Sequence, residues 1–519
     1  NKVLVLEAGP LDKTPFIKIP GAFAYFMFSK KYNWGYESES VDDIRSGSPM
    51  FCPRGKTLGG SSAVNAMVYI RGHKSDYDHW QALGNEGWNF DELLPYFKNS
   101  ETNQRGGDEF HGDSGPLYVS DVVNDYKVND SFLAGAQQAG YPLTNDFNGH
   151  QFEGAGYYQF TIKDGERCGV SRAYLKPAMT RTNLQVECEA SVQRIIFQGK
   201  KAVGVEYIQN GKRHSVYAAQ EILICGGTFN SPQTLMLSGI GDKHELASHG
   251  IPLVQDLPGV GKNLQEHVDA CVLTTSLKKD GFSIGPVGLG KMLPDIVKYI
   301  RTKKGKLANS ITQVGAFLKS SPDVEVPDIQ MHFVPLLFDD NGRDLRLLAG
   351  HGYSCHVCVL RPKSRGSVSL RSANPQDPVK IDFNFFSAEE DAKVLVNGIR
   401  VARKILATQA FDEYRDEEIH PGADAQSDEE ILQKCKDRLG LVYHPVGTCK
   451  MGNDAMAVVD NELKVHGVEN LRVIDASIMP TLTSGNTNAP TIAIAEKAAK
   501  MVLASQGKKM ASQLESALA

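Results

Sequence analysis

The sequence predicts two interleaved units, one an α/β unit on a parallel sheet and the other an α+β unit on an antiparallel sheet. Three observations carry this. Lys2-Val3-Leu4-Val5-Leu6 is a continuous apolar run closing on Glu7-Ala8-Gly9, which reads as a buried parallel strand with a carboxylate projecting from its end. Ile222-Leu223-Ile224-Cys225 runs into Gly226-Gly227-Thr228-Phe229-Asn230-Ser231-Pro232, a strand, a glycine turn and a helix start. From about Gly281 to Leu441 the strand patterns lose βαβ alternation and are followed by a helical stretch, the pattern of an antiparallel sheet backed by helices.

At 519 residues the chain is long enough for two or more domains, and 41% apolar with 23% charged residues is the composition of an ordinary globular protein. A net charge of −5 argues against a general nucleic-acid role. No run approaches the ~18 apolar residues that a membrane span needs. No signal peptide is visible. A first strand and a Gly-x-Gly-x-x-Gly turn, roughly thirty residues in all, are expected ahead of Lys2 and are not in this sequence. Gly285-Pro286-Val287-Gly288-Leu289-Gly290 has no strand before it and reads as a loop. The expectation is therefore a fragment or processed form of a longer protein, with pyrophosphate binding unsupported by the residues given.

Residues 76–98 alternate aromatic and polar groups in helical style, with the aromatics read as core, and 99–115 reads as a polar surface loop or lid. Strands are predicted at Leu184 to Cys188, Val192 to Phe197, Ala202 to Ile208, Arg213 to Ala218 and Glu221 to Cys225. Asn210-Gly211 marks a tight hairpin. Further strands fall at Gln313 to Leu318, Asp328 to Leu337, Tyr353 to Leu360 and Gly366 to Leu370, then a helix at Ala388 to Leu406. On the second of these His332 alternates with Met331 and Phe333; a buried structural histidine is expected there, with a pocket-facing one as the alternative. The nine cysteines are odd in number and scattered, unlike a disulfide framework, and Cys355 and Cys358 sit at strand positions facing opposite ways. Asn129-Asp130-Ser131 is a glycosylation sequon that matters only in a secreted protein.

The C-terminal stretch from Tyr443 to Lys497 concentrates the chemistry. His444 precedes Pro445, which disfavours helix and presents the ring from an extended segment. Arg472 to Asp475 reads as a short strand delivering Asp475 to a crevice at its carboxyl end. Asn488 suits an N-cap and Pro490 a first turn, and Ile492, Ile494, Ala495, Ala498, Ala499 and Val502 follow at helical spacing, so the N-terminus of this helix can face an anion. Taken singly, His444 is an ordinary structural histidine and Gly485-Asn486-Thr487-Asn488 an ordinary turn.

In combination these blocks resemble the glucose-methanol-choline (GMC) oxidoreductases. Their C-terminal block carries His-Pro-x-Gly-Thr-Cys, here His444 to Cys449, and about forty residues later Gly-Asn-x-Asn, here Gly485 to Asn488. Pro53 to Tyr69 is similar to the first family signature, Gly226 to Gly241 to the second, and Gly259 to His267 also looks familial, with a structural role expected. Met479-Pro480-Thr481 is closest in wording to arthropod members related to the glucose dehydrogenases. The resemblance implies an α/β FAD-binding domain, Rossmann-like and three-layered, interleaved with an α+β substrate domain built on an antiparallel sheet. The FAD-binding domain would comprise 1–75, 184–280 and 442–505, the substrate domain 76–183 and 281–441, and 506–519 a tail.

It further implies an FAD-dependent oxidation of a small-molecule alcohol, reoxidised by oxygen or a quinone-like acceptor. Glu7 would accept from the adenosine ribose hydroxyls, and Val192 would touch the adenine through its backbone. Gly59, Gly60, Ser61 and Asn65 would line the flavin, joined by Asp475, Ala476, Asn488 and Ala489. Some members tether the flavin through a histidine just before that asparagine; here the position is Val64, so FAD is expected to be non-covalent. His444 is the expected base and Asn486, which cannot titrate, the group that orients the alkoxide. The helix beginning near Asn488 would stabilise negative charge on the reduced flavin. Resemblance to arthropod members suggests a secreted protein. Rival readings are a flavin-containing hydroxynitrile lyase and a non-catalytic member of the fold.

Overall fold

The computed structural model describes residues 2–279 and 281–518. The chain opens with β1 (Val3–Leu6), passes through α1 (Lys74–Ala82), α2 (Phe90–Ser100), α3 (Lys127–Gln138) and β2 (Gly154–Tyr157), and then lays down β3 (Leu184–Glu187), β4 (Ala190–Gln198), β5 (Lys201–Gln209), β6 (Lys212–Tyr217) and β7 (Ile222–Ile224) before α4 (Gly227–Leu237). There follow β8 (Val268–Ser276), α5 (Pro286–Thr302), β9 (Val314–Leu318), β10 (Ile329–Val334), β11 (Gly352–Val359), α6 (Glu389–Leu406), β12 (Arg415–His420), β13 (Leu471–Val473) and α7 (Asn488–Leu518).

In the α/β unit β1 pairs in parallel with β3, and β7 with β13. The Asn210-Gly211 signal is realised as the β5–β6 hairpin, both turn residues at positive φ (52° and 72°), the geometry whose twist suits a two-residue loop. The expected full burial of β1 is not met: Val3 is 49% exposed. The two parallel pairs are separate ladders, so each keeps an open edge, and Leu223 is exposed as well. Trp80, Trp88 and Phe97 are buried core residues, as their helical spacing predicts, but they pack into the same core as Leu471 and Ile494 of the α/β unit.

The second sheet has seven strands in the order β12-β8-β11-β10-β9-β2, with Gly440–Leu441 also pairing with β8. Its central strands β8, β9, β10 and β11 are buried on both faces and the two faces differ. Met331, Phe333, Tyr353, Cys355 and Val357 join Leu395, Ile399 and Ala402 of α6 in one core. Gly398 permits the close approach, since a Cβ there would lie 2.6 Å from Val357 Cγ1. On the opposite face His332 stands directly across from His356 and Gln330 from Cys358. Cys355 and Cys358 therefore lie on opposite sides of the sheet and cannot share a ligand.

Four expectations need correction. Residues 99–115 are a surface loop only in part: Gln104, Arg105 and Gly107 to Glu109 are exposed, but Glu101, Asn103 and His111 are buried, because Glu101 pairs with the buried Arg71 and His111 bridges Glu101 and Asp146. Gly285 to Gly290 is not a loop, since Pro286 opens α5, where a missing N–H costs nothing. Asn129 is buried in α3 with its amide donating to Asn124 and Gln313, so the sequon cannot accept a glycan in the folded chain. Asn488 is the first residue of α7 rather than its cap, and the helix runs on through 518. Among the described residues no helix is long and apolar enough to cross a membrane.

Candidate active site

The segment carrying His444 is held at both sides. Tyr443 takes a left-handed conformation (φ 66°), the His444 N–H donates to Glu266 Oε1 at 2.7 Å, and the Pro445 carbonyl accepts from Thr228 Oγ1 at 2.6 Å. Gly447 must be glycine: φ is 95° and a Cβ would meet Asn263 O at 2.4 Å. The ring is thereby aimed into a cavity of about 150 Å³ together with Asn486, Val64, Asn65 and His332.

A chain of hydrogen bonds fixes the His444 tautomer. His267 Nε2 lies 3.1 Å from Leu360 O, which only accepts, so that nitrogen carries the proton and His267 Nδ1 is left as an acceptor. His444 Nδ1, 3.1 Å away, must then donate to it, and His444 Nε2 keeps its lone pair. Asn486 Nδ2 donates to Nε2 at 3.1 Å, and Gln330 Nε2, 3.4 Å from Asn486 Oδ1, sets the amide that way round. Burial, reinforced by His267, His332 and Arg54, holds the His444 pKa well below its usual value, so the ring is neutral. Burial pushes His267 down to about 3, the Leu360 and Thr483 carbonyls only partly opposing it. Beneath both, burial lifts the Glu266 carboxyl to about 8 against the pull of Arg54 and the His444 and His267 N–H groups.

The block from Gly259 to His267 thus supplies two residues of the site, Glu266 and His267, where a structural role was expected. Spacing could not show this, since β8 brings them to His444 across 177 residues. His332 takes the pocket-facing alternative: it lines the cavity, and its Nδ1 is buried without a hydrogen-bond partner among the described residues.

The remaining expected site residues fall into five groups. Val64 and Asn65 line the cavity opposite His444; Asn65 Oδ1 accepts from Met67 N and from Arg167 Nη1. Glu7 lies beside the start of β4, where its carbonyl accepts from Ala190 N, and a register shift follows Val192, freeing backbone there. Burial raises the Glu7 carboxyl to about 7, with the Gly9 N–H and Lys56 pulling it back. Gly59 (φ 93°) and Gly60 (φ 54°) make a left-handed turn that brings backbone close, with Ser61 Oγ accepting from Gly55 N. Asp475 does not present a free carboxylate: Oδ2 accepts from Gly227 N and Ser231 Oγ and Oδ1 from Ser477 N, which ties the β7–α4 turn to β13. Ala476 accepts from Gly447 N through its carbonyl. Asn488 and Ala489 open α7, whose first N–H groups lack helical partners.

This arrangement fits a bound flavin. Gly9 packs on backbone so closely that a Cβ would lie 2.1 Å from Lys56 O; among the described residues Arg167 is buried with no carboxylate partner, its Nη1 donating to Asn65 and its Nη2 left without a partner.

A family model described as GMC oxidoreductase matches residues 5–269, and its C-terminal counterpart matches 362–495. The chain belongs to the GMC oxidoreductase family. The alcohol dehydrogenase [acceptor] of Pseudomonas putida is 43% identical over 97% of this chain and 91% of its own length. The mitochondrial choline dehydrogenase of Homo sapiens is 43% identical over 97% and 85%. The crystal structure of pyridoxine 4-oxidase from Mesorbium loti superimposes with a TM-score of 0.87 at 29% identity, covering 96% of this chain and 94% of that one. As a GMC oxidoreductase the chain is an FAD-dependent enzyme acting on CH–OH donors. These relatives are bacterial and mammalian, not the arthropod enzymes to which Met479-Pro480-Thr481 pointed. The physical reason is plain: Met479 is core, and the Pro480 carbonyl accepts from Asn263 and Gln265, so these residues answer to packing.

Val64 offers no nucleophile to the flavin, so acid precipitation should release all of the FAD into the supernatant; yellow protein in the pellet would contradict a non-covalent cofactor.

Proposed function

We propose that the chain oxidises an uncharged, largely apolar alcohol, with His444 Nε2 as the base. The observation that carries the base assignment is the relay from Leu360 O through His267 to His444, which leaves Nε2 unprotonated with the Asn486 amide on its lone pair. The alcohol binds with its hydroxyl on His444 Nε2 and the Asn486 amide; Nε2 takes the hydroxyl proton while Asn486 Nδ2 steadies the developing alkoxide. Bound FAD supplies the hydride acceptor. Glu266 accepts from the backbone N–H of both histidines, which sets its carboxyl beside the base. The first N–H groups of α7 point their positive end toward the same region.

The substrate class is read from the lining. Phe23, Met27, Met50, Val334, Leu441 and Val442 are among the apolar side chains of the wall. Its acids are already paired: Asp269 with His356 at 2.7 Å, Asp340 with Arg45 at 2.8 Å, and Asp339 with Arg438. A cation such as choline would find carboxylates that each already face a basic side chain, with Asp269 Oδ1 lacking a partner of its own, whereas an alkyl chain gains by burial. Oxygen or a quinone-like carrier takes the electrons, and an oxygen electrode separates the two.

Anaerobic mixing with primary n-alkanols and with choline tests this. Alkanols should bleach the flavin, at kcat/KM roughly tenfold or more above choline's, the discrimination expected of an apolar wall. Equal or better turnover of choline would sink the substrate reading, and no bleaching by any alcohol would sink the oxidation in favour of lyase chemistry.

A further inference from the structure

The helix α5 turns an apolar face to solvent. Leu293, Val297 and Ile300 recur at i, i+4 and i+7, and Leu293 and Ile300 are 65% and 70% exposed, while Tyr299 on the other side is buried with its hydroxyl on Gly165 O. Single exposed apolar residues are ordinary, but three on one helical stripe are not. A second apolar cluster lies close by: Phe16 and Tyr25 stack at 4.5 Å and are both exposed, and Phe28 is 58% exposed. The short turn Lys306–Ala308 bridges the two, packing on α5 and on the Pro20–Met27 turn, where a Cβ on Gly21 would lie 3.0 Å from Leu307.

The charges around this face are mostly basic. Lys298, Arg301 and Lys304 have no carboxylate partner among the described residues, and Lys303 and Lys306 add to them, each near one acid, Glu166 and Asp295 respectively. An apolar stripe edged by basic side chains is complementary to a lipid surface with anionic headgroups, the stripe entering the acyl boundary and the lysine stems following it. The place matters for function: Phe23 and Met27 from the Pro20–Met27 turn, and Ile311 and Thr312 just after Lys306–Ala308, line the catalytic cavity.

We propose that the α5 face, with Phe16, Tyr25 and Phe28, docks this protein peripherally on an anionic membrane surface, placing the cavity beside the bilayer. The proposal stands on the surface alone and would survive a different substrate.

The test uses the full flavin-loaded chain and vesicles of phosphatidylcholine, alone or with about 30% phosphatidylglycerol. The protein should sediment with the anionic vesicles and much less with phosphatidylcholine alone, and raising salt from about 0.1 M to about 0.5 M should weaken binding. L293D/I300D should reduce binding roughly tenfold or more, since both side chains leave water on docking. K298E/R301E/K304E should also reduce it, which decides the matter if the first variant misfolds; an unchanged flavin spectrum and melting temperature mark the folded ones. Absence of sedimentation with anionic vesicles, or equal sedimentation of wild type and folded variants, overturns the proposal. So does a wild-type dimer in light scattering that ignores vesicles and is split by L293D/I300D, which would make a second copy the occupant.

Discussion

Replacing His444 by alanine should lower kcat by roughly 10²–10⁴-fold, the range that a positioned general base supplies. The loss should appear in kcat and kcat/KM together, because the proton moves in the transition state. Flavin content should stay near native, since His444 reaches the cavity through its ring and its backbone N–H still donates to Glu266 in the variant. A variant with near-native turnover would remove His444 from the mechanism. The wild-type pH profile carries a linked expectation. His444 must be neutral to act, and its pKa is held well below the usual 6.5 by burial first and by His267, His332 and Arg54 after that. The acid limb of kcat/KM in the free enzyme should therefore fall below pH 6.5, and a limb centred above it would mean that the ring is less buried, or better paired with Glu266, than described.

The largest stability effect should come from Arg71→Met. Arg71 and Glu101 are 1% and 0% exposed, and Glu101 also bonds His111 at 3.2 Å while His111 bonds Asp146 at 2.9 Å. Removing the guanidinium leaves a buried carboxylate facing one imidazole, which costs ~3–5 kcal/mol of unfolding free energy. Adding Glu101→Gln should recover part of that loss, because the stranded charge goes with it; chemical denaturation of the two variants reads both numbers. A loss below ~1 kcal/mol for Arg71→Met would mean that water enters the cluster. Its pH dependence has a definite sign. Burial draws the His111 pKa down, but Asp146 and Glu101 outweigh it and raise it to about 9 from 6.5. Its contribution is therefore complete below pH 6.5 and lost as pH rises through about 9.

The Arg71 cluster also shows where reading residues in order stops. Residues 99–115 are polar and glycine-rich, which says loop, and much of the segment is one, but Glu101 and His111 within it are buried because Arg71 and Asp146 reach them from elsewhere in the chain. Gly285 to Gly290 shows the converse error, glycines taken for a loop where Pro286 begins a helix.

Local patterns did determine much. The strands from Leu184 to Cys225 and from Gln313 to Leu360, the Asn-Gly hairpin and the helix to Leu406 follow from apolar periodicity and turn chemistry, which act within a few residues. His444 and Asn486 were legible because two spaced motifs point at one site. The sequence alone also removed the covalent tether, through Val64. What only the tertiary structure decided is how the base is held. His267, Glu266, Gln330 and His332 lie far along the chain from His444, the first two just ahead of β8 and the others on β10, whose alternate side chains look like any buried sheet. The fold carries them to one place, and there a chain of hydrogen bonds fixes which nitrogen bears the proton while burial keeps the ring neutral.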